Sequence, residues 1–394
     1  MLKIALFGLN FNSGNLGCAA LSYSFFDLLL NEAQRLETKL EVTFYDSVKS
    51  SLNGLPTIGN DFVDAKIFKY DKHNITALYK SIKTQDIVFD FTAGDSFSDY
   101  YGLSRFVKRT FNKTLVLFNK KTFILGPQTY GPFDSFVAKK WASFVIRHAD
   151  RVFARDGKSL ERAAKVSKRK DIKLVTDVAF LLPYKKEDYE KLCERNGKIN
   201  IGFNFSGLLY SGGYTKDNQF GLTVDYAKYC EDIVKYFEDK TDRYNLWIVP
   251  HVCSKKEGNP DNDLIPTKVL SEKYPYVKVA PLFSSPMDAK SFIANMDVFS
   301  GARMHATIAA FSSKVATIPF SYSVKFEGLY GELNYDCCIH GKEETTQEAV
   351  KRTIDYVENV RAIQDMQEKS LAIADEKINM FVSDVHKFLN EKIK

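Results

Sequence analysis

Two doubly wound α/β domains are the fold this sequence predicts, and three observations predict it. Short apolar runs alternate with amphipathic segments through the first half of the chain, and the second half repeats the alternation. At 394 residues the chain also exceeds what one hydrophobic core usually organises. Two such Rossmann-like domains facing each other would form a cleft.

The first domain is expected over residues 1–184, with strands at 2–8, 41–46, 86–91, 122–126, 151–154 and 172–176. Between the first two, apolar residues recur at helical spacing from Leu16 to Ala33. The charged stretch Lys185 to Lys198 then leads into a new strand, Ile199 to Asn204, which opens a second domain over 198–345. Its further strands are expected near 246–250, 277–279, 297–300 and 315–318. From 346 to 394 the chain reads as helix, with Val350, Ile354, Val357, Ile378, Phe381, Val385 and Phe388 at spacings near three and four. Thr345 and Glu348 fit a capping box at its start, and packing across both domains is the expected role of this tail.

Composition narrows the partners. A formal charge of +6, spread without a basic arm or repeat, argues against nucleic acid and suits a small anionic substrate or an anionic membrane surface. The six cysteines show neither C-x-x-C spacing nor a neighbouring His array, so they read as reduced thiols. No apolar run reaches bilayer length and the first strand is too short for a secretory signal, which points to the cytoplasm.

The most informative stretch is Val298 to Phe311, where a buried strand breaks into a helix just at Arg303, Met304 and His305. Free N–H groups and the positive end of the helix dipole then face a ligand. Arg303 adds a planar fork of donors for phosphate or carboxylate, and His305 a side chain suited to proton exchange. Positions i and i+2 of a helix point about 200° apart, so the two share a ligand only if Arg303 lies in the turn. An Arg and a core His at a helix start would explain an isolated R-x-H triplet equally well.

Three further loops follow apolar strands, at the carboxyl edge where such folds bind ligands. Gly8 to Gly17 permits close backbone approach but lacks G-x-G-x-x-G, and Asp46 alone makes a weak case for a dinucleotide. Asp90 to Gly102 and Gly126 to Phe133 combine polar and aromatic residues suited to a sugar, although ordinary turn chemistry also accounts for their Gly-Pro pairs. Asp95 and Asp99 are carboxylates beside a Gly turn that can take protons from alcohols. His251 and the run Asp261-Asn262-Asp263 lie in a second-domain loop expected to border the donor. That run lacks the further ligands of a calcium or catalytic metal site, so no metal is expected.

Together these motifs resemble the polysaccharide pyruvyl transferases. The resemblance rests on Asn15-Leu16-Gly17, Gly94-Asp95-Ser96-Phe97, Gly126 to Phe133, Ala154-Arg155-Asp156 with Ser159, Asp177-Val178-Ala179-Phe180, Ser300 to His305, and Tyr322 with Lys325. Met304 stands where members often carry Leu, a volume-conserving change. The resemblance implies a GT-B-like fold, with phosphoenolpyruvate held by the C-terminal domain and the acceptor by the N-terminal one. It implies transfer of a pyruvyl group from phosphoenolpyruvate to a sugar of a cell-surface polysaccharide or its precursor, as a cyclic ketal, with release of phosphate and no cofactor.

On that reading Arg303, the peptide at Met304, Lys325 and Arg155 are the donor-binding candidates. His305 is the proton carrier, Asp95 or Asp99 the base, and Asn15, Asp95, Ser96, Gln128 and Tyr130 the acceptor-binding set. A surface ion pair is the plain alternative for Arg155. A lipid-linked oligosaccharide acceptor would bring the protein to the inner membrane face. The main alternative function is a GT-B nucleotide-sugar glycosyltransferase with Arg303 on a diphosphate, and a second is a non-catalytic glycan-binding protein.

Overall fold

The computed structural model describes residues 1–11, 14–47, 61–100, 102–254 and 258–393. Asn12 and Ser13 of the first loop, Tyr101 and the terminal Lys394 lie outside the described residues. The chain divides into two compact units, Met1–Ser13 with Leu21–Leu181 and Asp375–Lys394, and Gly14–Ala20 with Leu182–Ala374.

The first unit is built on a seven-stranded sheet. Its strands are β1 (Leu2–Phe7), β2 (Leu40–Ser47), β3 (Val63–Tyr70), β4 (Ile87–Asp90), β5 (Thr122–Gln128), β6 (Arg151–Ala154) and β7 (Lys173–Leu174). They lie in the order β3-β2-β1-β4-β5-β6-β7, with every pair parallel. Parallel pairing requires six crossovers, five of them supplied by α1 (Leu16–Arg35), α2 (Ile75–Lys83), α3 (Leu103–Phe118), α4 (Phe136–His148) and α5 (Gly157–Ser167), while residues 48–60 between β2 and β3 lie outside the described residues. Strands covered by helices read as continuous apolar runs, and Ile87–Asp90 is buried at all four positions. Phe25 of α1 packs on Phe89 and Phe91, with ring centroids 4.8 and 4.6 Å away. Ser135 and Asp156 cap α4 and α5 by accepting the N–H of Ala138 and of Ser159.

The second unit repeats the plan with β8 (Ile199–Asn204), β9 (Tyr244–Ile248), β10 (Lys278–Val279), β11 (Val298–Gly301), β12 (Ala316–Ser321) and β13 (Ile339–His340), in the order β10-β9-β8-β11-β12-β13. Its helices are α6 (Gly207–Tyr210), α7 (Tyr226–Tyr236), α8 (Leu264–Lys273), α9 (Pro286–Ile293), α10 (Met304–Ser312), α11 (Val324–Glu332) and α12 (Thr346–Glu358). The capping box of Thr345 and Glu348 is present at the start of α12. The last helix, α13 (Val360–Ile393), serves both units. Gln367 bonds the backbone of Phe311, Val315 and Thr317 in the second. Phe381 sits 5.0 Å from the Phe153 ring in the first, a burial worth about 2–3 kcal/mol.

Some boundaries differ from expectation. The first unit ends at Leu181, close to the expected 184, yet it also claims the tail from Asp375, and Gly14–Ala20 belongs to the second unit. The strand expected near 297–300 runs from Val298 to Gly301, with Ser300 and Gly301 paired with Ile318 and Pro319. Strands β3 and β13 were not anticipated. No described helix is long and apolar enough to cross a membrane.

Candidate active site

In both sheets the strand order reverses at one place, between β1 and β4 and between β8 and β11, and the carboxyl ends there are where such sheets bind ligands. Arg303 and His305 occupy the second of these points.

Arg303 is extended (φ −96, ψ 113) and forms the N-cap of α10, so it lies in the turn, as sharing a ligand with His305 requires. The turn is fixed by Asn204 at the end of β8, whose Oδ1 accepts the Arg303 N–H at 3.1 Å and whose carbonyl accepts that of Ala302. The guanidinium, however, is already held by carboxylates. Nε and Nη2 donate to Asp263 Oδ1 at 3.1 and 2.7 Å, and Nη2 lies 2.6 Å from Asp261 Oδ1.

Asp263 is wholly buried and collects donors from every side. Beyond Arg303 it accepts the N–H groups of Gly207, His251 and Val252 at 2.9, 3.1 and 2.9 Å, and Asn204 Nδ2 at 3.2 Å. Burial alone would raise its pKa, but Arg303 and these N–H groups hold the carboxyl below its usual range. Arg303 with two carboxylates carries a net negative charge, which leaves the N-terminus of α10 as a source of positive potential at this turn. Lys325 lies close enough to Tyr322 to act on its charge. The Tyr214 hydroxyl donates to the other oxygen of Asp261 at 3.1 Å.

His305 is partly buried in the first turn of α10. Its ring packs on Gly17, where a Cβ would stand 2.5 Å from Nδ1. His251 is near enough to be destabilised as a cation by His305 and Arg303, but burial is the larger effect and pushes its pKa down to about 3. It is a neutral imidazole at physiological pH. The segment carrying Gly17 is stitched to this loop, with Cys253 N–H on the Gly14 carbonyl at 2.9 Å and Leu16 N–H on that of His251 at 3.3 Å. Asn15 caps α1 by accepting the Gly17 N–H at 3.0 Å. Expected on the acceptor side, Asn15 therefore sits beside the donor candidates.

The first unit's switch point is formed by Gly8 and the Thr92–Gly94 turn. Gly8 (φ +73) could carry no Cβ, since one would meet Thr92 N at 2.4 Å. Below the turn, buried Lys113 donates to Asp90 Oδ1 and Thr92 Oγ1, each at 2.8 Å. Asp95 is partly buried, and Ser96 Oγ donates to it at 3.3 Å while accepting Arg105 Nη2 at 2.8 Å.

Several expected roles change here. Arg155 is no surface ion pair but a buried one, 2.9 Å from Asp177, in the first unit beside Gly94 and within range of Asp95. Asp99 braces two loops by accepting the N–H of Asp134 and Ser135 at 2.9 and 2.8 Å. Partial burial opposes ionisation, but these N–H groups hold its pKa below the usual range, which makes it a weak base. Tyr130 is fully buried against Phe97, so its ring is core and not a sugar platform. Gln128 is equally buried and spends its amide on the carbonyls of Asp90 and Gly126. Of the acceptor candidates in this unit, Asp95 stays partly exposed, while Ser96 beside it is buried.

Sequence reasoning passed over Asp263 as a clamp, Gly17 as a seat for His305, and the basic face of α3. The last left a signal, since Arg105, Arg109 and Lys113 recur at helical spacing. Among the described residues no cluster of three or more His, Cys, Asp or Glu is arranged to hold a metal ion. The cavity of ≈ 400 Å³ bordered by Met1, Leu2, Asp86, Lys121 and Lys392 lies at the amino ends of β1 and β5, the edge opposite these loops.

Residues 15–324 match the profile of one protein family, described as polysaccharide pyruvyl transferase. Among curated protein sequences none matches the chain. Solved structures share the fold at low identity. A putative UDP-N-acetylglucosamine 2-epimerase from Listeria monocytogenes is 10% identical with a TM-score of 0.63, over 98% of this chain and 96% of that one. Anabaena Alr3699/HepE in complex with UDP-glucose is 10% identical with a TM-score of 0.57, over 100% and 99%. The sucrose-phosphate synthase of Thermosynechococcus elongatus is 9% identical with a TM-score of 0.58, over 100% and 99%. These are glycosyltransferases of the GT-B fold and an epimerase, and the likeness is one of fold.

Proposed function

Because this chain belongs to the polysaccharide pyruvyl transferase family, we propose that it takes phosphoenolpyruvate as donor and builds a cyclic pyruvyl ketal on a sugar of a cell-surface polysaccharide or its precursor. The observation that carries the reading is His305 in the first turn of α10, at the switch point of the second sheet, seated on Gly17 beside a neutral His251.

The chemistry follows from the donor. An enol phosphate is unreactive toward alcohols until C3 is protonated, which makes C2 electrophilic. His305 supplies that proton. One sugar hydroxyl then attacks C2, giving a tetrahedral ketal phosphate, and Asp95 takes the hydroxyl proton. Phosphate leaves with its bonding electrons, and a second hydroxyl of the same sugar closes the ring at C2 and releases its own proton. The N-terminal N–H groups of α10 and Lys325 stabilise the donor's phosphate and carboxylate. Arg303, held by Asp263 and Asp261, acts first as the residue that fixes the turn and offers its remaining N–H groups to the donor.

No cofactor or metal is called on by this route. The enzyme is proposed to work in the cytoplasm, on a lipid-linked precursor at the inner membrane face.

The test is to incubate purified protein with phosphoenolpyruvate and a panel of sugars and glycan intermediates, following phosphate release and product mass. Acceptor-dependent release with a ketal mass gain, lost in His305→Ala, is the expected result. Turnover of a nucleotide sugar with no reaction of phosphoenolpyruvate would replace this reading with the glycosyltransferase alternative.

A further inference from the structure

Three cations recur along the helix that follows the Asp95 loop in the first unit. Arg105, Arg109 and Lys113 stand four residues apart along α3, on one face. Lys113 is spent on Asp90 and Thr92 in the core. Arg105, exposed, donates to the buried Ser96 Oγ next to Asp95. Arg109 lies between them, partly buried, and among the described residues no carboxylate stands within ion-pair distance of it.

A half-buried guanidinium next to a second cation costs stability unless an anion completes it. Burial, and then the neighbouring Arg105, pull the Arg109 pKa below its usual value, while the fields of Asp90, Tyr70 and Asp95 offset this only in part. Tyr70 is itself committed to Asn112, which donates to its hydroxyl at 2.6 Å. The Asp95–Ser96 loop beside these arginines is the loop proposed above for the sugar hydroxyls.

We propose that Arg105 and Arg109 form an oxyanion subsite that takes the phosphate or diphosphate carried by the acceptor sugar. A planar fork suits a phosphate by paired N–H donors, and two guanidiniums on successive turns suit a diphosphate. The inference rests on the pyruvyl transfer reading for its meaning but not for its test. It names the acceptor class as a phosphorylated saccharide rather than a neutral one.

Calorimetric titration of inorganic pyrophosphate into the wild type, Arg109→Gln and Lys325→Gln reads the site directly. Arg109→Gln is expected to weaken binding by roughly tenfold or more, the loss typical of one charge-assisted pair, and Lys325→Gln to leave this site intact. The melting temperature of unliganded Arg109→Gln should equal or exceed that of the wild type, because a costly charge is removed. Equal pyrophosphate binding by wild type and Arg109→Gln overturns the subsite. With phosphoenolpyruvate present, a soluble sugar diphosphate and its lipid-linked counterpart should both show a lower KM than the free sugar, and Arg109→Gln should remove that advantage. A preference for the lipid-linked form alone, unaffected by Arg109→Gln, places recognition in the lipid and also overturns the proposal. Failure of every acceptor to react would sink the pyruvyl transfer reading while the pyrophosphate titration still decides the subsite.

Discussion

The imidazole of His305 rests directly on the Cα of Gly17, so close that any Cβ there would stand 2.5 Å from Nδ1 and 2.9 Å from Cγ. Gly17 lies in the first turn of α1, where alanine would favour the helix by up to about 1 kcal/mol. Gly17→Ala should therefore keep most of its thermal stability while the ring of His305 swings away. A displacement of this size is expected to cost roughly 10²-fold in kcat. Comparing kcat and melting temperature separates the two effects, and full turnover in the variant would mean that His305 is not the proton donor.

Asp263 joins Arg303, Asn204, Gly207, His251 and Val252, so its charge is needed by the whole second switch point. Asp263→Asn leaves the Arg303 charge with Asp261 alone and should destabilise the protein by about 3 kcal/mol in chemical denaturation. The folded pKa of Asp263 is depressed, so its contribution is present above the unfolded carboxylate value and is lost as pH falls through the lower folded value. Part of the wild-type acid sensitivity below about pH 4 should thus be missing in the variant. An unchanged denaturation midpoint would show that Asp261 suffices.

How much of this was readable in the chain depends on what each residue answers to. Buried parallel strands such as Ile87–Asp90 announce themselves as apolar runs, and the Thr345–Glu348 box marks its helix by two side chains alone. Strand β3 escaped because it is an edge strand whose charged residues alternate with apolar ones, and β13 because two residues make no pattern. Motif residues pointed to the right places. Their roles were harder, since a polar residue after a strand reads alike whether it meets solvent, as Asp95 partly does, or turns inward, as Gln128 and Tyr130 do. The Asp263 clamp depends on groups as far apart in sequence as Asn204 and Arg303, which no local spacing reveals.

The loop bearing Asp261 and Asp263 is pressed against Gly207, where a Cβ would meet the Asn262 carbonyl oxygen at 2.0 Å and its carbon at 2.3 Å. Backbone cannot give way as a side chain does. Gly207→Ala should cost about 1–3 kcal/mol and lower turnover by shifting the Arg303 clamp. Gly331→Ala is the matched control, since it lies in α11 with open space at its Cβ and should stabilise by up to about 1 kcal/mol. Equal effects of the two substitutions would mean that the loop moves freely with Gly207.

Lys290 of α9 is buried, with its ammonium on the Leu182 carbonyl at 2.8 Å and over the Tyr184 ring at 5.0 Å. Burial pushes its pKa down to about 7. An unfolded lysine titrates near 10.4, so between these values the unfolded chain holds one more proton than the folded chain. Stability from this site therefore rises as pH increases from about 7 to 10, and the cost is greatest at and below pH 7, where the folded protein must bury a charge. Lys290→Met keeps the stem and removes the charge. It should be more stable than the wild type by a few kcal/mol at pH 6, with the advantage shrinking toward pH 10 as the wild-type amine becomes neutral. Urea denaturation of both proteins across that range checks it. A difference independent of pH would assign the effect to the lost bond with Leu182, and a wild type more stable than the variant at pH 6 would show that the carbonyl and ring fully compensate the buried ammonium.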